Sequence, residues 1–242
     1  MSLKLTVDEG NSSAKLTLWE GSDMVRTAVC PTFRFSDLSS FLPGGETLSA
    51  AIFSSVRGAR ADRSDDSPFP VIRLTAATAL PFSIDYDSPE TLGPDRIAAA
   101  AGAQVVAGGA PVLIVDIGTA VTYDFLSADA VFEGGAIAPG IDLRLKSLAE
   151  HTASLPSVDP EGSVRLCAKS TAEAMRSGAI FGIAAEIEFF ASRLKASHPD
   201  LLTVITGGSA KAVTPFISSP FIEEPDLVSV GLKYILDYNE TL

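Results

Sequence analysis

The pattern with the clearest chemical meaning is an aspartate that ends an apolar segment and is followed, two residues later, by a glycine. It occurs at Asp8 and Gly10 and again, about half a chain later, at Asp116 and Gly118. Glycine permits a tight turn and a close approach of the backbone to a ligand. Small polar side chains and backbone N–H groups can hold phosphate oxygens, and an aspartate can hold a hydrated cation that bridges phosphates. One copy alone is most simply an ordinary turn, but two copies indicate a duplicated domain that closes on a nucleotide.

A third apolar segment is also followed by glycine. The strand-like segment Leu202–Thr206 runs into Gly207 and Gly208, and a helical segment follows. Such a turn could let adenine or ribose rest on bare backbone, although a helix start that uses glycine for close packing is an equal alternative by itself. The phosphate-loop pattern Gly-x4-Gly-Lys-Ser/Thr is absent from the sequence. Together these features predict an ATP-dependent phosphoryl transferase of the actin-like, sugar-kinase-like ATPase superfamily.

The composition of the chain argues against several classes of binding partner and site. The 242 residues include 46% hydrophobic residues and carry a formal net charge of −12. The acidic balance argues against nucleic acid and an anionic membrane surface as partners. Two cysteines and two histidines, without ligand spacing, argue against a disulfide scaffold and a zinc centre. The start of the chain has no long apolar segment, so we expect a cytoplasmic protein with no membrane partner.

The elements that must position these residues follow an α/β order. A charge-free stretch from Ile97 to Val115 contains Gly108, Gly109 and Pro111, which predicts a helix, a turn and a buried strand rather than a membrane span. Ser170 and Glu173 form a capping-box pattern that opens a long helix towards Lys195. Strands are predicted at 3–8, 14–19, 25–30, 51–56, 71–74, 112–116, 121–125, 130–133 and 202–206, and a closing helix at 227–238.

Four further segments carry a resemblance to a family. They are Tyr86-Asp-Ser-Pro-Glu-Thr-Leu-Gly-Pro-Asp-Arg96, Phe132-Glu-Gly-Gly-Ala-Ile-Ala-Pro-Gly140, His151-Thr-Ala-Ser-Leu-Pro156 and Ser170-Thr-Ala-Glu-Ala-Met-Arg-Ser-Gly178. With the two hairpins and Thr206-Gly-Gly208, the chain resembles type III pantothenate kinase in its compact bacterial form. The resemblance implies two similar actin-like (ribonuclease H-like) lobes, 1–100 and 101–242, with mixed sheets flanked by helices and the nucleotide in the cleft between them.

The same resemblance implies a reaction and its partners. ATP phosphorylates pantothenate to 4′-phosphopantothenate, the first step of coenzyme A biosynthesis, with Mg2+ and a monovalent cation (K+ or NH4+). A homodimer, assembled through long helices of the second lobe, places the pantothenate site at the subunit interface.

Residue roles follow from the resemblance, position by position. Asp95 matches the proton acceptor, Asp116 the ligand of the monovalent cation, and Asp8 a residue that holds Mg2+ through water. The resemblance leaves open how Asp8, Asp116 and Asp124 divide between Mg2+, the monovalent cation and turn geometry. The ATP contacts are Asp8, Glu9, Gly10, Asn11, Ser12, Ser13, Ala14, Lys15, Thr119, Gly207 and Gly208. The substrate contacts are Tyr86, Gly93, Pro94, Asp95, Arg96 and Thr171.

Several of these residues have a plainer interpretation. Asp95 is a favourable helix N-cap, Arg96 could form a surface ion pair instead of binding the pantothenate carboxylate, and Lys15 could be a solvated strand residue. The chain also departs from the family pattern, because Glu9 stands where most members have an apolar residue, Ser12-Ser13 replaces Thr-Asn, and Pro94 replaces Ala.

Two other functions stay open at this point. The chain could be a non-catalytic nucleotide-binding regulator on the same scaffold, or a kinase of another small hydroxy acid. Pocket contacts decide substrate specificity, and sequence alone does not place them.

Overall fold

The computed structural model describes residues 3–33, 38–42, 47–57, 67 and 69–242. The chain divides into two compact α/β units: residues 1–108, 130–132 and 226–242 form the first, and residues 109–129 and 133–225 form the second. The sequence placed the lobe boundary after residue 100 and the whole C-terminal part in the second lobe. In the structure the helix at that boundary stays in the first unit, and the chain returns to the first unit at Asp226.

The first unit is built on a five-stranded mixed sheet. Its strands are β1 (Leu3–Glu9), β2 (Ala14–Glu20), β3 (Asp23–Cys30), β4 (Leu48–Ser55) and β5 (Val71–Arg73), in the order β3-β2-β1-β4-β5. β1 is central: it pairs antiparallel with β2 and parallel with β4. Leu3, Leu5 and Val7 of β1 are buried at alternate positions, as expected of a strand with a face on the core. The predicted strands of this half are confirmed to within a few residues.

Smaller elements complete the first unit. They are α1 (Leu38–Phe41), β6 (Ser83–Ile84), a 3-10 turn at Pro89–Thr91, α2 (Pro94–Ala107) and α6 (Leu227–Glu240). β6 pairs in parallel with Val131 and Phe132. Residues 57–70 are rich in Arg, Asp, Ser and Pro, which predicts an exposed connection, and they lie mostly outside the described residues.

Helices α2 and α6 pack with their backbones in contact. A Cβ atom on Gly231 would lie 1.8 Å from the carbonyl oxygen of Ala98, and one on Gly102 would lie 2.2 Å from that of Leu227. Gly102 and Gly231 therefore allow α2 and α6 to pack as a close helix pair.

The charge-free stretch folds as predicted. α2 ends at Gly108, which adopts a left-handed φ of 60°, and a buried strand begins at Val112. Of the helices in the described part of the chain, none is both long and apolar enough to span a bilayer.

The second unit has a mixed sheet with helices packed on it. Its strands are β7 (Val112–Ile117), β8 (Ala120–Leu126), β9 (Val131–Pro139, which enters this unit at Glu133), β10 (Leu202–Thr206) and β11 (Ile222–Glu223), in the order β11-β10-β7-β8-β9. Its helices are α3 (Ile141–His151), α4 (Thr171–Lys195) and α5 (Ala210–Val213), with a 3-10 turn at Thr214–Phe216. Val115, Tyr123, Ile183 and Ile205 belong to its core.

The start of α4 confirms the capping pattern in part. The Ser170 hydroxyl accepts a hydrogen bond from the Glu173 backbone N–H at 3.3 Å. The Glu173 carboxylate accepts instead from the Lys169 N–H at 2.7 Å and from the Ser163 hydroxyl at 2.8 Å. These bonds lower the pKa of Glu173 and tie the preceding loop to the helix.

Two elements differ from the prediction. β9 runs to Pro139 instead of ending at residue 133, because Gly135 lets the strand approach its neighbour: a Cβ there would lie 2.0 Å from the Tyr123 carbonyl oxygen. Helix α3 was not predicted, and its N-cap is Gly140, which has no side chain to mark a helix start.

Candidate active site

The first aspartate–glycine pattern forms the hairpin between β1 and β2. Asp8 lies opposite Lys15, and Glu9 lies opposite Ala14, so Gly10 to Ser13 make the turn. The turn is closed by a hydrogen bond of 2.9 Å from the Gly10 N–H to the Ser13 carbonyl. Asn11 and Ser12 are exposed at its tip, where they can meet a ligand.

The second pattern forms the hairpin between β7 and β8, which confirms the internal echo. Asp116 lies opposite Thr122, and the Gly118 N–H donates to the Ala120 carbonyl at 2.9 Å. The residue opposite the aspartate is seven positions later in the first hairpin and six in the second. The second turn is therefore one residue shorter, so the two hairpins are similar without being superimposable residue by residue.

The Asp8 carboxylate is held in an unfavourable electrostatic position. Burial, together with the negative charge of Asp95, raises its pKa from 3.8 to about 6, and Ser54 and Lys15 oppose this only partly. Its Oδ1 atom is enclosed and has no hydrogen-bond partner among the described residues. An enclosed carboxylate oxygen near a second carboxylate has the chemistry of a cation site, because a bound cation would offset both charges.

Asp95 lies at the start of α2, but it is not the N-cap. Gly93 is the N-cap residue, Pro94 follows it as the first helical residue, and Asp95 is the second. The plainer interpretation of Asp95 as a cap is therefore wrong, because proline is favoured at the first helical position and moves the cap one residue earlier. The Asp95 Oδ1 atom accepts the Arg96 backbone N–H at 2.9 Å, so this N–H group is not available to an anion.

Arg96 is enclosed by aromatic rings. It is 6% exposed, and its guanidinium carbon lies 5.6 Å from the ring centroids of both Tyr86 and Phe132. The two rings meet edge to face at 6.3 Å. A surface ion pair is therefore the wrong interpretation, since this cation is held within the first unit. The rings fix its direction, as cation–π contacts do.

Lys15 is also committed within the first unit. Its ammonium group lies 2.6 Å from Asp226 Oδ1, and its charge lowers the pKa of Asp8. The structure thus brings Asp8, Lys15 and Asp95 into one charged group, while a freely solvated Lys15 is excluded.

In the second unit, two glycines lie directly on the β7–β8 hairpin. Gly207 has a φ of +101°, and a Cβ there would lie 2.4 Å from Asp116 Oδ1 and 2.5 Å from the Ile117 backbone N. A Cβ on Gly140 would lie 2.2 Å from the Gly118 carbonyl oxygen and 2.6 Å from that of Thr119. Gly207 therefore lies on Asp116, and Gly140 lies on Thr119, through backbone contacts that leave no room for a side chain. Gly208 has open space around it.

A polar network supports this hairpin, and sequence reasoning missed it. Arg144 donates to the Pro139 carbonyl at 2.7 Å and forms two hydrogen bonds, of 2.9 and 2.6 Å, with Glu186. The Tyr123 hydroxyl donates to Glu186 at 2.6 Å, and burial with the Glu186 charge raises the pKa of Tyr123. Since Pro139 precedes Gly140, the network fixes the segment that lies on Thr119. No spacing in the sequence connects Arg144 with Glu186.

The roles of the remaining site residues stay predictions. Thr171 is the exposed first residue of α4, and Asp124 is 1% exposed on β8. Within the described part of the chain no three His, Cys, Asp or Glu side chains form a metal-binding group. A metal ion would therefore need oxygen ligands from its substrate or from water in addition to these carboxylates.

Comparison with known proteins identifies the class and then the family. Two solved structures have the same fold over nearly the whole chain. One is a Baf family transcriptional activator from Campylobacter jejuni, with a TM-score of 0.67 and 22% identity, covering 98% of this chain and 100% of the other. The second is a 2-dehydro-3-deoxygalactonokinase protein from Sinorhizobium meliloti, with a TM-score of 0.62 and 14% identity, covering all of both chains. The fold is that of the sugar-kinase and actin-like ATPases.

The family follows from sequence. The family model for type III pantothenate kinase matches residues 4–193. A type III pantothenate kinase from Phocaeicola vulgatus is 35% identical over 99% of this chain and 100% of its own length. The chain belongs to the type III pantothenate kinase family.

Substitution of Asp8 by asparagine is expected to stabilise the folded protein in metal-free buffer without nucleotide. Because the pKa of Asp8 is raised to about 6 from 3.8, the wild-type protein loses stability as pH rises between these values and does not regain it above them. Asp8→Asn lacks this loss, so its advantage grows from pH 4 to pH 6 and reaches on the order of 2–3 kcal/mol. Urea unfolding of both proteins at several pH values measures it.

Asp200→Asn is the control, because Asp200 is an exposed carboxylate. It is expected to unfold like the wild type at every pH. An Asp8→Asn protein that is less stable than the wild type at pH 7 would contradict the assignment of an uncompensated charge.

Gly207→Ala is expected to destabilise the protein by roughly 1–3 kcal/mol and to weaken binding of a non-hydrolysable ATP analogue. The reasons are the positive φ and the clash with Asp116. The neighbouring Gly208→Ala, which has nothing within 4 Å of its new Cβ, is the matched control for folding. Thermal unfolding and titration calorimetry would compare them, and equal stability of the two variants would refute the close contact.

Proposed function

We propose that the protein phosphorylates pantothenate with ATP to give 4′-phosphopantothenate, the first step of coenzyme A biosynthesis. The observation that carries the proposal is the grouping of Asp8, Asp95 and Arg96 in the first unit. It combines a carboxylate with cation-site chemistry, a carboxylate at a helix start, and a buried cation in contact with two aromatic rings. Membership of the type III pantothenate kinase family supports the same substrate.

In the proposed reaction, Asp95 acts on the attacking hydroxyl of pantothenate. Its carboxylate accepts a hydrogen bond from this hydroxyl and aligns the oxygen with the γ-phosphorus of ATP. The new O–P bond forms as the bond to the β,γ-bridging oxygen breaks; ADP leaves, and the hydroxyl proton passes to Asp95. Because the transition state is loose, alignment matters more than early deprotonation, so an ordinary carboxylate suffices.

Arg96 is proposed to bind the pantothenate carboxylate with two parallel hydrogen bonds. The rings of Tyr86 and Phe132 hold the guanidinium in one orientation. That arrangement reduces the entropy lost on binding, since little side-chain freedom is left to lose. Tyr86, Gly93 and Pro94, the residues around it, complete our proposed substrate contacts.

We propose that each cation is held by one of the aspartates. Asp8 would hold Mg2+ through water, and Asp116 would hold a monovalent cation, K+ or NH4+. Mg2+ would neutralise charge on the transferring phosphoryl group. The enclosed Oδ1 atom of Asp8 fits such a role.

The proposed ATP contacts come from both hairpins and from Gly207 and Gly208. In the first hairpin the backbone N–H groups and hydroxyls of Asn11, Ser12 and Ser13 would meet phosphate oxygens, with Ser12 retaining the hydroxyl of the usual threonine. In the second, Thr119 would do the same. That both hairpins act on one nucleotide stays a prediction.

We propose a homodimer in which Thr171 contributes to the substrate site of the partner subunit. The second unit exposes several large apolar side chains: Ile137 (63%), Leu143 (41%), Leu166 (85%) and Phe189 (58%). Phe189 lies on α4, the helix that begins at Thr171. Burial of such side chains would supply the driving force for association.

The purified protein is expected to release ADP in a pantothenate-dependent manner when ATP and Mg2+ are present, faster in K+ than in Na+. A coupled assay with a panel of small hydroxy acids measures this. Nucleotide binding without turnover would favour a regulator on the same scaffold, and turnover of another acid would change the substrate.

Asp95→Asn tests the assigned role within the same assay. We expect kcat to fall by roughly 10²–10⁴-fold, as for loss of a proton acceptor. Binding of the ATP analogue should change little. Stability should also change little, because Gly93 and not Asp95 caps α2. If the role of Asp95 were purely structural, the variant would instead lose stability and affinity for both substrates together.

The dimer is expected to sediment at twice the chain mass of 25.2 kDa. Phe189→Glu should shift it towards the monomer, since a charge would be buried at the interface. Val105→Glu is the control, because Val105 is a 49% exposed apolar residue of the first unit. A wild-type monomer at assay concentrations would contradict the proposal.

A further inference from the structure

Arg57 contacts the first hairpin, although the sequence predicted only an exposed connection at this residue. Glu9, the last residue of β1, is 7% exposed. Its Oε2 atom accepts the Ser55 hydroxyl at 2.7 Å, and its Oε1 atom lies 3.6 Å from Arg57 Nη1. The Arg57 backbone N–H also donates to the Ser55 hydroxyl at 3.2 Å. The unusual Glu9 thus has a specific counter-charge.

The Arg57 guanidinium contacts backbone carbonyls of two separate segments. Nε donates to Gly10 at 2.9 Å, and Nη2 donates to Asn11 at 2.9 Å. Nη1 and Nη2 both donate to Pro31 at 3.2 Å. Because these bonds and Glu9 engage all three guanidinium nitrogens, Arg57 is arranged to hold the turn rather than to bind phosphate itself.

These contacts determine the direction of the neighbouring amides. In a trans peptide the C=O of one residue and the N–H of the next point in opposite directions. The described chain contains no cis peptide bond. With the Gly10 and Asn11 carbonyls turned to Arg57, the N–H groups of Asn11 and Ser12 point away from it. A cation on the carbonyl side also polarises each peptide and strengthens its N–H as a donor.

We propose that Arg57 is a positioning residue for nucleotide: it orients the Asn11 and Ser12 N–H groups towards the phosphates of ATP, and Glu9 holds it in place. This inference rests on the proposed function, in which the first hairpin binds phosphate. Arg57 acts on the nucleotide through the backbone of the hairpin. Lysine cannot replace it, because one ammonium group lacks the fork that reaches three carbonyls.

The central variants are Arg57→Ala and the double variant Glu9→Leu with Arg57→Ala. The single variant leaves Glu9 as a buried charge without its cation, so it is expected to lower the melting temperature. The double variant removes this charge and introduces an apolar residue at a position where the family commonly has one. We expect it to recover the melting temperature.

Nucleotide binding separates positioning from stability. By calorimetry with a non-hydrolysable ATP analogue and no pantothenate, we expect both variants to bind roughly tenfold to a hundredfold more weakly than the wild type, the scale of one or two lost hydrogen bonds. KM for ATP should rise in parallel, while KM for pantothenate stays unchanged. Arg57→Lys should resemble Arg57→Ala, and Arg193→Ala, which removes an exposed positive charge on α4, should resemble the wild type.

The outcomes distinguish this inference from the proposed function. A double variant that binds the analogue as tightly as the wild type would overturn the positioning role, as would equal losses for ATP and pantothenate. A wild-type protein that binds the analogue but does not phosphorylate pantothenate would refute the proposed reaction, while the calorimetric comparison of variants would still decide the role of Arg57. A wild type that binds no analogue would overturn both.

Discussion

Burial of the Asp8 carboxylate near the charge of Asp95 is the constraint on which the first unit depends. Two like charges in a partly enclosed place cost free energy, and the single lysine nearby does not offset it. Such a cost is tolerated where a bound cation or a phosphate-bound metal later removes it. The position of β1 at the centre of its sheet and the close pairing of α2 with α6 hold the two carboxylates where they are. The cost in stability thus falls at the place where we propose that a cation binds.

The second unit holds its hairpin by a different physical means. In this unit the backbones at Gly140 and Gly207 lie directly on the turn that follows β7. Arg144 and Glu186 then fix the segment before Gly140 from the other side. The two halves of the chain therefore share a hairpin pattern but support it differently: a guanidinium on the turn carbonyls in one, and side-chain-free backbone contacts in the other.

Local patterns in the sequence were sufficient for much of this structure. Apolar runs bounded by polar or turn residues predicted β1 and β7, glycine after aspartate predicted both hairpins, and Ser170 with Glu173 predicted the start of α4. Pro94 carries enough information to place the N-cap at Gly93, because proline is favoured at the first helical position.

The features that the sequence could not supply are contacts of arginines with carbonyl and carboxylate groups far away along the chain. Arg57 reaches Gly10 across 47 residues and Pro31 across 26. Arg144 reaches Glu186 across 42. A backbone carbonyl is present at every residue, so nothing in the amino-acid order marks which one an arginine will contact. The side chains of a strand alternate between two faces, and this period is visible in the sequence. A contact between a guanidinium group and a backbone carbonyl leaves no such period.

The length of helix α4 has a mechanical consequence, because two residues with different roles lie far apart on it. Thr171 is its first residue and Glu186 lies fifteen residues further along, a separation of roughly 22 Å at 1.5 Å per residue. One continuous rod therefore carries, at one end, the residue proposed to reach a neighbouring subunit and, further along, the anchor of its own Thr119 turn. A helix of this kind resists compression along its axis, so a displacement imposed at Thr171 would be passed to Glu186 and from there, through Arg144, to the end of β9 before Gly140.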